Sequence, residues 1–229
     1  MSPDRITDVG RAIRAVVFDF DGLIIASESV AVRSWQDLYA RFGLTLPLEK
    51  WATLIGTWDA EWDPAAELRE HAGNGHDWDA IENERRTAEL TLARTLPPLP
   101  GVVAHLDEAA RLGLPLAIAS SSDRSWVVDH LERLGLADRF EVIVTRDDVT
   151  RTKPDPELFT RAVDALGVAP ARALALEDSV HGVIAAKAAG MRCVAVPNPL
   201  LAGADYSAAD ACVASLADTT LEELLARLG

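Results

Sequence analysis

The stretch Ala15-Val16-Val17-Phe18-Asp19-Phe20-Asp21-Gly22 decides the fold of this chain. Val16 to Phe20 predicts a short buried strand, because β-branched and aromatic residues crowd together and stop at a glycine. Two carboxylates two residues apart on a strand share one face. At a strand's end they stand in the crevice where open α/β sheets bind ligands. Like charges there are costly unless a cation or a proton intervenes. The pair therefore marks a site.

Outward from this strand, strand-like runs recur at Leu116–Ala119, Val142–Thr145, Ala173–Leu176 and Val194–Val196. The segments between them carry helix ends. Asp123 can cap a helix that stops at Gly135. Asp155 can cap one that opens with Pro156 and stops at Gly167. Ser179 can cap one that stops at Gly190. Such alternation predicts an α/β fold with a mostly parallel sheet and helices on both faces. Residues 26–96 break the pattern. They hold no clear strand, many helix formers and five of the six tryptophans, Trp35, Trp51, Trp58, Trp62 and Trp78. Pro97-Pro98-Leu99-Pro100-Gly101 reads as a hinge back. The expected organisation is a core of residues 1–25 and 97–229 with a helical cap of residues 26–96, too long for a loop without structure of its own.

Composition narrows the function. At 229 residues with 49% hydrophobic content, the chain can bury a real core. Its net charge of −14 argues against nucleic acid or an anionic membrane as partner. The apolar runs are strand-sized, so no membrane span is expected. Residues 1–10 show no signal-peptide pattern. Cys193 and Cys212 are no disulfide framework, and Cys193 reads as a packed thiol, so a cytoplasmic location is expected. A monomer or a weak homo-oligomer fits equally.

Four stretches place polar residues at predicted strand ends: Asp19/Asp21, Ser120-Ser121-Ser122, Lys153-Pro154-Asp155-Pro156 and Glu177-Asp178-Ser179. In a parallel sheet all four converge on one edge. A carboxylate there can attack phosphorus. A second can protonate the leaving oxygen and then activate water. A hydroxyl and an ammonium can hold phosphoryl oxygens. Further acids complete an oxygen-only site for Mg²⁺. Two unit charges ~4 Å apart repel by ~4 kcal/mol at an effective dielectric of about 20, so these acids need a cation.

The set Asp19-x-Asp21-Gly22, Ser120, Lys153 and Glu177-Asp178 resembles the four motifs of the haloacid dehalogenase superfamily, in order and over essentially the whole chain. The wording of Ala119–Asp123 and Glu177–Gly190 is similar to the branch that holds small-substrate phosphatases and β-phosphoglucomutase. The resemblance implies a Rossmann-like core of strand order 3-2-1-4-5 with a mobile helical cap. It implies Asp19 as nucleophile and Mg²⁺ ligand, and Asp21 as general acid/base with its carbonyl on the metal. Ser120, Ser121 through its N–H, Lys153 and Gly22 would form the phosphoryl site. Asp178, with Glu177 beside it, would complete the metal site. The implied activity is Mg²⁺-dependent hydrolysis of a small phosphorylated metabolite through an aspartyl-phosphate. A phosphomutase of the β-phosphoglucomutase type is the alternative.

Two departures matter. Ala26-Ser27-Glu28 stands where the family often has Asp-Thr/Ser-Glu. In the mutase a cap histidine lies twelve residues past the nucleophile, where this chain has Ala31, and Asp59 stands where a loop arginine is expected. A bisphosphate needs a second cationic grip, so hydrolysis is expected. Other residues read more plainly. Ser122 and Asp155 read as loop and helix-capping residues, and His181 as structural. Trp58 and Trp62 are on helical spacing, either packing the cap or facing the cleft. An EF-hand reading of Asp19 to Glu28 fails because a strand, not a helix, precedes it. A receiver-type phospho-acceptor fails because the third strand ends without an acid.

Overall fold

The computed structural model describes residues 13–58, 61–73 and 75–228. Asp59 and the N-terminal residues 1–12 lie outside the described residues. The chain opens with β1 (Ala15–Phe18), followed by α1 (Ser27–Arg41), α2 (Leu48–Trp51), α3 (Pro64–Ala72) and α4 (Trp78–Ala93). It continues through α5 (Val102–Leu112), β2 (Leu116–Ala119), α6 (Arg124–Leu134), β3 (Val142–Val144), α7 (Glu157–Leu166) and β4 (Ala173–Glu177). It closes with α8 (Val180–Ala188), β5 (Arg192–Ala195), β6 (Ala211–Cys212) and α9 (Leu221–Leu228).

The strands form one parallel sheet in the order β3-β2-β1-β4-β5-β6. β1 is central, with Val17 beside Ala117 on one flank and Ala175 on the other. The expected order of five strands holds, and β6 adds an edge. β6 spans two residues, too few for a side-chain period to show in the sequence.

Both faces of the sheet are covered, which explains the unbroken apolar runs. Val16 and Phe18 pack with Leu106, Ile118, Leu131 and Leu174 on one face. Ala15 and Val17 pack with Leu158, Phe159 and Val183 on the other. α1 to α4 gather a third cluster of their own around Trp35, Tyr39, Trp51 and Leu68. Among the described residues, no helix is long and apolar enough to cross a membrane.

Helix ends follow the local chemistry. The Asp123 carboxylate accepts from Trp126 N at 2.8 Å and Ser179 Oγ accepts from Gly182 N at 3.0 Å. α7 begins one residue later than expected. The Asp155 carboxylate does accept from Glu157 N at 3.0 Å, but Pro156 occupies the N-cap and its carbonyl receives Thr160 N. β1 ends at Phe18 rather than Phe20. Asp19 N still donates to Leu176 O, and then the chain turns, with Ile24 N bonded to Phe20 O and Gly22 N to Ile25 O. Asp21 therefore sits on a turn, not on the strand. β3 likewise stops before Thr145, which opens a 3₁₀ turn, and β5 runs one residue short of Val196.

The loop after α2 docks on the sheet's carboxyl edge. Gly56 O accepts from Ser121 Oγ at 2.9 Å, Ile55 O contacts His181 Nδ1 at 3.0 Å, and Trp58 N donates to Thr152 Oγ1 at 3.3 Å. Gly56 has φ +84°, and a Cβ there would fall 2.2 Å from Ser179 Oγ. The close approach and the positive φ both require glycine.

Phe18 is fully buried, with its ring edge-on to Phe140 at 5.9 Å between centroids. Phe18→Ala is expected to lower the unfolding free energy by about 3–5 kcal/mol in a denaturant titration; a loss under about 1 kcal/mol would contradict this view of the core.

Candidate active site

The carboxyl ends of β1 and β4 deliver the charged centre. Asp19 leaves β1 and is 5% exposed, while Lys153, Glu177 and Asp178 are 1% exposed or less. Lys153 Nζ donates to Asp19 Oδ1 and also to Glu177 Oε1. Glu177 Oε2 accepts from Asp178 N at 3.0 Å and from Ser179 N and Ser179 Oγ at 3.2 Å each. Both oxygens of Glu177 are thus occupied, and the residue braces Lys153. Asp178 Oδ2 accepts from Asn198 Nδ2 at 2.7 Å, and its backbone carbonyl from the Tyr206 hydroxyl at 2.6 Å. Asp178 Oδ1 is buried with no partner.

Oxygens of Asp19, Glu177 and Asp178 all lie within 4.8 Å of one another. One lysine does not balance three buried acids. Burial, then the charge of Glu177, pushes Asp19 up to about 8, against the pull of Lys153. Burial, then Asp19 and Glu177, raises Asp178 well above the usual carboxylate range. For Lys153 burial acts downward, but Asp19 and Glu177 outweigh it and hold the ammonium above its ordinary value. An all-oxygen set with an orphaned carboxylate oxygen fits a hard divalent cation such as Mg²⁺.

Asp21 is held separately. Its Oδ1 accepts from Ser27 Oγ at 2.6 Å and Trp126 Nε1 at 2.9 Å, and its Oδ2 from Ser122 Oγ at 2.6 Å. Three donors from three elements fix its direction. Gly22 is needed for shape. Its φ is +80°, and a Cβ would fall 1.9 Å from Asp178 Oδ2. Ser120 is buried, its hydroxyl accepting from Ser122 N at 3.0 Å. The Ser121 hydroxyl instead goes to the docked loop at Gly56 O.

Asp19, Asp21 and Ser120 to Ser122 line a cavity of about 590 Å³ whose far side comes from α1, α3, α4 and the loop after α2. Lys153, Glu177 and Asp178 lie behind Asp19. Trp58 and Trp62 both line this cavity but neither is in a helix, so the expected helical spacing does not hold; Trp62 also packs on the helical cluster, whereas Trp58 is exposed and only faces the cleft. His181 serves structure through Ile55 O, while His71 bonds its own helix at Glu67 O.

Sequence reasoning missed several neighbours. Ser122 was expected in a loop role but touches Asp21. Ser27 had a signal in the Ala26-Ser27-Glu28 triplet. Trp126, 105 residues from Asp21 in the chain, had none. Asn198 and Tyr206 reach Asp178 from beyond β5, also without a motif. Glu28 lines the cavity, and burial, then Asp21, Asp19 and Glu89, pushes it up to about 8.

Known proteins are similar to this chain in sequence and in fold. Haloacid dehalogenase-like hydrolases match over residues 16–196. YhcW of Bacillus subtilis (strain 168) is 43% identical over 94% of this chain and 98% of its own length. Hexitol phosphatase B of Escherichia coli (strain K12) is 31% identical over 94% of this chain and 98% of its own length. The crystal structure of a β-phosphoglucomutase from Clostridium difficile has a TM-score of 0.72, covering 94% of this chain and 97% of that one. At 20% identity that likeness is one of fold. With a match over most of its length and close relatives of full length, the chain belongs to the haloacid dehalogenase-like hydrolases and is a phosphoric monoester hydrolase of that family.

Proposed function

We propose that the chain hydrolyses the phosphate monoester of a small polyhydroxy compound through a phosphoryl-Asp19 intermediate, with Mg²⁺ as cofactor. The observation that carries this reading is the buried Asp19–Lys153–Glu177–Asp178 cluster, open to a cavity through Asp19 and facing a separately held Asp21. Asp19 attacks phosphorus as the ester P–O bond breaks, and protonated Asp21 gives its proton to the leaving oxygen. Asp21 then takes a proton from water as that water attacks phosphorus, releasing phosphate and restoring Asp19. Ser120 and Lys153 hold phosphoryl oxygens.

Asp19, Asp178 through its orphaned Oδ1, and the carbonyl of Asp21 would hold Mg²⁺, with Glu177 alongside. The ion would supply positive charge against the buried acids and the phosphoryl group. Residues 26–96 act as a cap over the core of residues 1–25 and 97–229, with the loop at 55–58 as its seat. Exclusion of bulk water by this cap strengthens every polar contact within. The hexitol phosphatase relative favours a sugar- or polyol-phosphate substrate. Ala31 lines the cavity where the mutase reading needs a histidine, which favours hydrolysis over phosphoryl return. Cys193 and Cys212, both free thiols, fit a cytoplasmic setting.

Asp19→Asn is expected to retain the fold by circular dichroism and to lower kcat by on the order of 10³-fold or more; near-native turnover would remove the nucleophile assignment. Trp126→Phe deletes one donor to Asp21 and should lower kcat by about tenfold. Chelation should silence hydrolysis and added Mg²⁺ restore it. Stability adds a signed test. Asp19 has its folded value raised from 3.8 to about 8. Its stabilising proton is retained at acid pH and lost as pH climbs through that range. The metal-free protein should therefore melt at lower temperature as pH rises across this window, and Mg²⁺ should raise Tm more at the alkaline end. A Tm shift of equal size at both ends would count against the site.

A further inference from the structure

The cavity wall beyond the phosphoryl site contains three arginines, two of which are paired with acids. Arg85 donates to Glu82 Oε1 at 2.6 Å, to Glu89 and to Ser34 Oγ at 3.2 Å, and its guanidinium stacks 4.2 Å from the Trp35 ring. Its side chain is 10% exposed. Arg146 pairs with Asp123 at 3.4 Å and stacks 4.3 Å from the Trp58 ring. Arg86 is exposed, and its charge acts on Asp123. Asp63 and Asp123 are themselves tied to the first turns of α3 and α6.

Glu28 differs. It stands in the first turn of α1, and its carboxyl group makes no hydrogen bond or ion pair with any described residue. It lines the cavity, and the charges of Asp21, Asp19 and Glu89 act on it. A cavity-lining carboxyl without a partner, among like charges, is satisfied by a hydrogen-bond donor from the ligand. Of the three arginines, Arg85 and Arg146 are already committed to acids and would serve a second phosphate poorly. Trp62, on the same wall, suits an apolar face of a polyol.

We propose that Glu28 is the specificity-determining residue for the leaving group. It accepts hydrogen bonds from a hydroxyl or ammonium of that group, so the site selects uncharged or cationic polyhydroxy monophosphates and rejects bisphosphates. The inference rests on the phosphatase reading above.

The test compares kcat/KM for four esters in the Mg²⁺-loaded full chain: a hexitol monophosphate, an amino-sugar monophosphate, a hexose bisphosphate and para-nitrophenyl phosphate. The last has no donor in its leaving group. The wild type should prefer the first two over the bisphosphate. Glu28→Gln, with its fold checked by circular dichroism, should lower the ratio of hexitol ester to para-nitrophenyl ester by about tenfold or more and narrow the discrimination against the bisphosphate. Inhibition by free hexitol should weaken in the same variant, a readout independent of turnover. An equal loss on all four esters, or a wild type that prefers the bisphosphate, would overturn the role of Glu28 while leaving the phosphatase reading intact. Absence of hydrolysis of every ester by the wild type would end both.

Discussion

Crowding of like charge at the carboxyl edge of the sheet is the constraint on which the rest depends. Asp19, Glu177 and Asp178 are buried together with one ammonium between them. Such a group is stable only if protons or a cation make up the balance. Nearby residues are arranged around that requirement. Ser179 and two backbone amides secure Glu177, Asn198 and Tyr206 secure Asp178, and Gly22 gives up its side chain so the turn can pass Asp178. The raised values of Asp19 and Asp178 are the electrostatic record of the same arrangement.

Asp21 lies outside this crowd. Asp19 is tied to Lys153, whereas Asp21 receives two hydroxyls and an indole N–H. The donors to Asp21 come from α1, the serine run after β2, and α6. The helical segment and the sheet therefore meet at this residue, and an isolated strand end would not hold it in place.

The loop at residues 55–58 joins the helical segment to the core at several polar points, with Gly56 lying against Ser179. The cavity below it is walled by tryptophans and by an arginine clamped between two glutamates.

The parallel core was legible in the local sequence. Continuous apolar runs reflect strands covered on both faces, and Asp123, Ser179, Gly135 and Gly167 mark helix ends through their own hydrogen bonds or backbone angles. The motif acids were legible too, because strand ends in such a sheet share one edge. The partners of Asp21 and Asp178 were not. Trp126, Ser122, Asn198 and Tyr206 reach these acids from other elements, and their contacts exist only once helices and loops are packed. The turn that moves Asp21 off the strand depends on Gly22 adopting a positive φ against Asp178, a long-range fit. Sequence by itself determined which chemical groups are present and at which end of the sheet they gather, since periodicity and capping are local. Only the tertiary structure decided which of them pair, because pairing over a hundred residues is set by packing, and it left the Glu28 carboxyl in the cavity without a partner among the described residues.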